Sequence, residues 1–229
     1  MPSKNTVKQF VENGFYHVYN RGVEKRNIFL DDQDYRVFLH LLKTYLSPDE
    51  SERNPLAELT GFKPIRPRPL KNLNKEVELL CYTLMPNHFH LLLKQNTADG
   101  MSKLLRRVST TYALYFNKRN NRVGHLFQGI YKAVMVSNES YLLHLSRYIH
   151  LNPNELGLTR MNLVSYPYSS YPYYLGQKSA EWLNTNFILS FFKKAEDPLI
   201  KGLASYEEFV MVEQEDSQKI IGDLILDPD

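Results

Sequence analysis

The stretch VELLCYTLMPNHFHLLLK, residues 77–94, decides the reading of the fold. It holds two apolar runs, Val77 to Leu84 and His88 to Lys94, on either side of Met85-Pro86-Asn87. Short apolar runs split by a proline turn read as two paired strands. Side chains alternate faces along a strand, so His88 and His90 point one way while Phe89, Leu91 and Leu93 face the other. Two neutral imidazoles on one face can share a metal ion. A bare H-x-H reads more readily as two hydrogen-bonded or half-exposed histidines on a sheet surface, so the pair needs further residues to become a site.

Working outward, Phe15 to Asn20 alternates and is rich in aromatic and β-branched residues, which predicts a first strand ending at Arg21-Gly22. Asp31-Asp32 suits a helix N-terminus, and Tyr35, Phe38, Leu39, Leu42 and Tyr45 follow at helical spacing until Pro48. Residues 48–75 hold five prolines and read as a basic connecting loop. After Gly100, Met101, Leu104, Leu105, Val108, Tyr112, Tyr115 and Phe116 make the apolar side of a second helix, and Tyr131 to Val136 reads as a fourth strand. The order β-α-β-β-α-β is that of a ferredoxin-like α+β domain, an antiparallel sheet with helices on one face and the other face open to a ligand.

A further helix starts at Ser137-Asn138-Glu139 and runs to Pro153. Leu142, Leu145 and Ile149 share one side of it, and Tyr141, His144, Tyr148 and Asn152 gather on a neighbouring side. The aromatic segment Tyr166 to Tyr174 could pack that helix against the sheet or stack on bases, and packing is the simpler reading. Residues 181–213 read as helical, and the final acidic residues as a tail. The organisation expected is a domain over 1–175 and a helical extension over 176–229.

Across 229 residues, 43% hydrophobic and 23% charged content describe a globular chain. No segment approaches the roughly 20 apolar residues that span a bilayer, and residues 1–13 lack a secretory apolar run, so no membrane partner and a cytoplasmic location are expected. Cys81 is the only cysteine and sits in an apolar run, which reads as an inert thiol. The net charge of +3 hides an asymmetry. From Gly176 on there are 5 basic and 11 acidic residues, so the first 175 carry +9 and the remainder −6. Residues 100–138 contain Lys103, Arg106, Arg107, Lys118, Arg119, Arg122 and Lys132 and no acid. Blocks of that kind suit a polyanion, with nucleic acid first. Arg21, Lys103, Arg106, Arg107, Arg119, Arg122, Lys132 and Arg147 are the expected phosphate contacts.

Two imidazoles on one face need at least one more ligand, and oxygen donors steer the choice to Mg²⁺ or Mn²⁺. The Asn152 amide oxygen suits that role, one helical turn after Tyr148. With such a cation polarising a phosphodiester, the Tyr148 oxygen could attack phosphorus, with His144 in an auxiliary role. A phosphotyrosine keeps the bond as an activated ester, so a later hydroxyl can rejoin strands without an outside energy source.

The strings YHVYNRG at 16–22, MPNHFHLLL at 85–93, GHLFQGIYKAVMV at 124–136, RYIHLNPNELGL at 147–158 and YPYSSY at 166–171 resemble the REP-associated tyrosine transposases, a branch of the single-tyrosine HUH transposases. The resemblance implies the ferredoxin-like fold with an added catalytic helix and a bacterial origin. It also implies a divalent metal at His88 and His90, and Tyr148 as nucleophile forming a 5′-phosphotyrosine link. The implied substrate is single-stranded DNA with a hairpin foot, cut by a monomer or homodimer. Ile130 stands where many relatives have arginine, and Tyr168 where tryptophan is frequent. Two other readings fit the same residues: a DNA-binding protein without catalysis that recognises palindromic repeats, and a metal phosphodiesterase that uses water.

Overall fold

The structure is a computed structural model that describes residues 10–48, 72–193 and 203–212. Most of the loop expected over 48–75, and the acidic residues beyond Val212, lie outside the described residues. Four strands, β1 (Phe15–Arg21), β2 (Val77–Met85), β3 (His88–Gln95) and β4 (Lys132–Val136), form one sheet in the order β2-β3-β1-β4. Each neighbouring pair is antiparallel. With α1 (Asp32–Leu46) between β1 and β2, and α2 (Gly100–Arg119) between β3 and β4, this is the expected ferredoxin-like topology.

Local chemistry sets the helix starts. Asp31 caps α1 by accepting from the Asp34 amide, and Asn138 caps α3 (Glu139–Leu151) by accepting from the Tyr141 amide at 2.8 Å. At the start of α2 the residue must be glycine, because a Cβ at Gly100 would run into the Glu76 carbonyl.

Two cores lie on opposite faces of the sheet. Val18, Phe89, Leu91 and Leu93 pack against α1 and α2 through Phe38, Leu42, Leu104 and Tyr112. On the other face, Leu80, Cys81, Leu92 and Val136 pack against Leu142, Leu145 and Ile149 of α3. An irregularity between Leu79 and Cys81 breaks the strict alternation of β2 and lets the adjacent Leu80 and Cys81 both join this second core. The second face is therefore not the open surface expected: α3 covers part of it.

The tyrosine-rich segment packs, and does so as an extra edge to β2. The Tyr168 carbonyl accepts from the Leu84 amide at 3.0 Å, and the Ser170 amide donates to the Tyr82 carbonyl at 3.0 Å. The Tyr168 ring stacks on Tyr35 with centroids 3.6 Å apart, and its hydroxyl donates to Asp32 at 2.8 Å. The helix expected over 181–213 is corrected to short pieces: α4 (Tyr171–Tyr174) precedes it, and within it lie only α5 (Asn186–Leu189), a single 3-10 turn over Phe191–Lys193 and α6 (Tyr206–Met211) among the described residues. Asn184 explains part of this. Its backbone amide donates to the Leu79 carbonyl at 2.9 Å and its side chain to Glu78 at 2.6 Å, drawing the chain along the sheet edge.

Buried polar groups bolt α3 to the sheet. Thr83 Oγ1 donates to the Ile149 carbonyl at 2.6 Å. His150 lies between the Tyr206 hydroxyl at 2.7 Å and Ser170 Oγ at 2.6 Å, and Tyr206 reaches Ser146 at 3.1 Å. Desolvation pushes the His150 ring down to about 3, so it folds neutral. An unfolded chain takes up that proton near pH 6.5, so stability falls as pH drops from there toward 3. Urea titrations across pH 4–7 should show a slope smaller by about 1.4 kcal/mol per pH unit in His150→Gln than in the parent. An equal slope would mean that His150 is not held neutral.

Candidate active site

The β1–β3 register sets Tyr19 opposite His90, and Arg21 opposite His88. Strand alternation puts His88, His90 and Leu92 on the face that carries α3. Tyr148, half-buried on α3, presents its ring edge-on to His90 with centroids 5.6 Å apart, and the His88 and His90 rings are 4.9 Å apart. Both imidazoles and the tyrosine thus meet within one chain.

Asn152 follows the last turn of α3 and is buried. Its amide nitrogen donates to the Tyr148 carbonyl at 2.9 Å, which turns the oxygen away from the helix end. The side chain is near enough to favour the protonated form of both imidazoles and the ionised form of the Tyr148 phenol. Even so, Asn152 Oδ1 and His90 Nε2 are buried atoms that meet no partner in hydrogen-bond geometry. Orphaned polar atoms at one cluster are what a divalent cation would satisfy if the ring nitrogen carries a lone pair, since buried polar atoms normally find partners. No group of three or more His, Cys, Asp or Glu side chains that could hold a metal occurs among the described residues. A cation here would depend on the two rings, the amide oxygen and oxygens from outside the protein.

Burial dominates the electrostatics. Desolvation lowers His88 to about 4, with Arg21 adding to the effect, and holds His90 well below the usual histidine value, with His17 and His88 adding to it. Both rings are neutral at pH 7, the form that ligates metals. Burial also pushes the Tyr148 phenol up to about 12, with Asn152 opposing and Glu155 and Tyr19 reinforcing the rise. Deprotonating it at neutral pH requires positive charge brought beside the oxygen.

Sequence reasoning missed two residues. His17 is fully buried on β1, with its Nε2 2.8 Å from His90 Nδ1. Asn87 places Oδ1 2.6 Å from His88 Nδ1. The signal for His17 is its place in YHVYNRG, on the same strand face as Tyr19. Only the strand register reveals its partner.

The expected phosphate contacts separate into groups. Arg21 and Lys132 lie by the site, Arg21 opposite His88 and Lys132 over the Tyr19 ring at 5.8 Å. Arg106 is exposed on α2, and Arg107 lies over the Tyr45 ring at 5.6 Å. Lys103, Arg119, Arg122 and Arg147 meet oxygens of the protein. Lys103 pairs with Glu76 and, at 2.8 Å, with Asp99. Arg122 donates to Asn117 at 2.6 Å and to the His125 carbonyl. Arg119 bridges Asp31 and Asp34. Arg147 is buried, donates to the Val212 carbonyl and lies over the Phe209 ring at 5.5 Å. His144 packs edge-on against Phe209, 5.6 Å away, so it serves the contact between α3 and α6.

Residues 71–152 match the family model for IS200-like transposases. The matched segment takes in His88, His90, Tyr148 and Asn152. Among solved structures, the chain is similar in fold to one described as a REP-associated tyrosine transposase bound to a REP hairpin. The TM-score is 0.52 at 15% identity, over 78% of this chain and 90% of that one. A transposase candidate of Deinococcus radiodurans aligns with a TM-score of 0.35 at 17% identity, over 63% of this chain and 95% of that one. No curated protein sequence matches. No helix among the described residues is long and apolar enough to cross a membrane.

A prediction separates folding from binding among the arginines. Asp34 is fully buried, and Arg119, about 30% exposed, is its only charged partner among the described ion pairs. Arg119→Ala should cost about 2–3 kcal/mol in urea unfolding, below the value for a wholly buried pair because solvent reaches the guanidinium. Arg106→Ala should cost less than about 0.5 kcal/mol.

Proposed function

We propose that this protein is a transposase that cleaves and rejoins single-stranded DNA at hairpin-containing sequences through a covalent 5′-phosphotyrosine on Tyr148. In this reading a divalent cation, Mg²⁺ or Mn²⁺, is held by His88, His90 and Asn152. The observation that carries it is the meeting of the Tyr148 ring with His90 and the Asn152 amide on one face of one chain. The hairpin assignment draws on the likeness to the hairpin-bound REP-associated enzyme.

The residues act as follows. His88 and His90, kept neutral by burial, offer nitrogen lone pairs, and Asn152 offers its unpartnered oxygen. A cation bound there supplies the positive charge that polarises the scissile phosphate and eases ionisation of the nearby phenol. Tyr148 gives its proton to solvent and its oxygen bonds phosphorus, while the bond to the 3′-oxygen breaks and that oxygen leaves as a hydroxyl with a proton from solvent. The 5′-phosphate stays on Tyr148. A 3′-hydroxyl reverses the sequence: its oxygen bonds phosphorus, and the tyrosine oxygen leaves and regains a proton. Tyr148 is set on a helix bolted to the sheet, so the strand must bend to reach it, which favours unpaired DNA. Arg21 and Lys132 are the cations placed to meet its phosphates.

Incubating the protein with end-labelled hairpin DNA and Mn²⁺, followed by a denaturing gel, should reveal a protein-bound strand. Tyr148→Phe should bind the DNA yet lose the adduct and cleavage by about 10⁴-fold or more. Cleavage retained by the phenylalanine variant would instead support attack by water, and no adduct over many hairpins would leave a DNA-binding protein.

Salt dependence tests the path of the strand. On single strands each lost phosphate contact should reduce the log-log slope of binding against salt by about 0.7. Arg21→Ala and Lys132→Ala should each show that change. Lys103→Ala, already paired to two carboxylates, should leave the slope as it was.

A further inference from the structure

His17 is fully buried beside the site, yet the chemistry above gives it no task. Its role follows from where each metal-facing imidazole keeps its proton. Asn87 Oδ1 lies 2.6 Å from His88 Nδ1, while the amide nitrogen of Asn87 donates to the Lys25 carbonyl. A carboxamide oxygen only accepts, so the His88 proton sits on Nδ1 and Nε2 keeps its lone pair. His90 has its Nδ1 2.8 Å from His17 Nε2 instead.

A hydrogen bond between two neutral rings holds one proton, and either ring can own it. If His17 owns it, His90 must carry its own proton on Nε2, which is buried and finds no hydrogen-bond partner. If His90 owns it, Nε2 is bare and able to ligate. We infer that His17 is a positioning residue whose Nε2 accepts the Nδ1–H of His90, holding the His90 Nε2 lone pair toward the site. This rests on the reading that His88 and His90 hold a cation.

The geometry suits that task. The two rings are stacked at 17° with centroids 5.0 Å apart, and both are fully buried, so water does not replace the acceptor. β1 is hydrogen-bonded on both sides, to β3 and β4, which fixes His17 in depth and direction. The arrangement is a diagonal pair, since His17 itself stands opposite Leu92. An outer partner of this kind orients a ligating histidine and raises its basicity.

The test uses the full chain, His17→Leu, which removes the acceptor, and His17→Gln, whose Oε1 can accept in place of Nε2. Mn²⁺ titration followed by electron paramagnetic resonance should show affinity weakened roughly 10- to 100-fold in His17→Leu and largely restored in His17→Gln. In metal-free protein, ¹⁵N NMR of histidine side chains should find His90 protonated on Nδ1 in the parent and in His17→Gln. In His17→Leu the proton should move to Nε2 in part or in full.

A folded His17→Leu that binds Mn²⁺ as tightly as the parent, with the His90 tautomer unchanged, would overturn the role and make His17 a packing residue. A parent that binds no Mn²⁺ would sink the metal-site reading, and the NMR would still decide this one, with Nε2–H on His90 in the parent counting against it. Should His17→Leu fail to fold, the His90 tautomer in the parent and in His17→Gln decides the role: Nδ1–H in both supports it, and Nε2–H in either overturns it.

Discussion

The Ile149 carbonyl and the His150 ring, in the last turn of α3, are tolerated inside the second core because each has a partner, and that requirement holds the helix in place. The Ile149 carbonyl accepts from Thr83 of β2, and His150 joins Ser170 of the tyrosine-rich edge to Tyr206 of α6. Breaking either contact would strand a buried donor or acceptor at a cost of about 1–3 kcal/mol. Three separate parts of the chain therefore fix a turn that begins at Tyr148 and ends at Asn152. Since β3 is central in the sheet, the imidazoles below that turn are as firmly placed. The Tyr148–His90 distance is thus a property of the packed fold rather than of a loop.

The same burial shapes the chemistry. A dry face keeps His88 and His90 neutral and leaves the Tyr148 phenol hard to ionise. The first effect suits ligands, and the second means that the proposed nucleophile is quiet until positive charge arrives. A nucleophile that stays protonated until a cation binds beside it would suit the proposed cleavage reaction. His17 and Asn87 extend this logic outward, since each meets the Nδ1 atom of one imidazole and leaves its Nε2 facing the site.

How much of this was legible beforehand depends on whether the information is local. The two-residue period of β3 placed His88 and His90 on one face, and the 3.6-residue period of α3 placed Tyr148 and Asn152 one turn apart. The order of elements along the chain followed from alternating strands, helical spacing and turn residues. His17 was hidden because its partner is set by register between strands about seventy residues apart. Arg119 and Arg147 looked like phosphate contacts because charge is visible in a sequence and pairing is not: the acids that engage Arg119 lie on and just before α1, far along the chain. The overestimate of helix over 181–213 has a similar cause. Apolar spacing there is helical, but Asn184 spends its hydrogen bonds on β2. The aromatic stripe read in Tyr166 to Tyr174 did prove to be packing, with Tyr168 flat on Tyr35.

The central claim is that imidazoles and tyrosine of one site come from the same chain. Mixing two inactive variants tests it most directly: Tyr148→Phe, which keeps the imidazoles, with a protein carrying both His88→Ala and His90→Ala, which keeps the tyrosine. The fold predicts that the mixture forms no more covalent DNA adduct than either variant alone, because no chain in it holds a complete site. Adduct formation restored on mixing would contradict this and show that a partner subunit supplies the tyrosine.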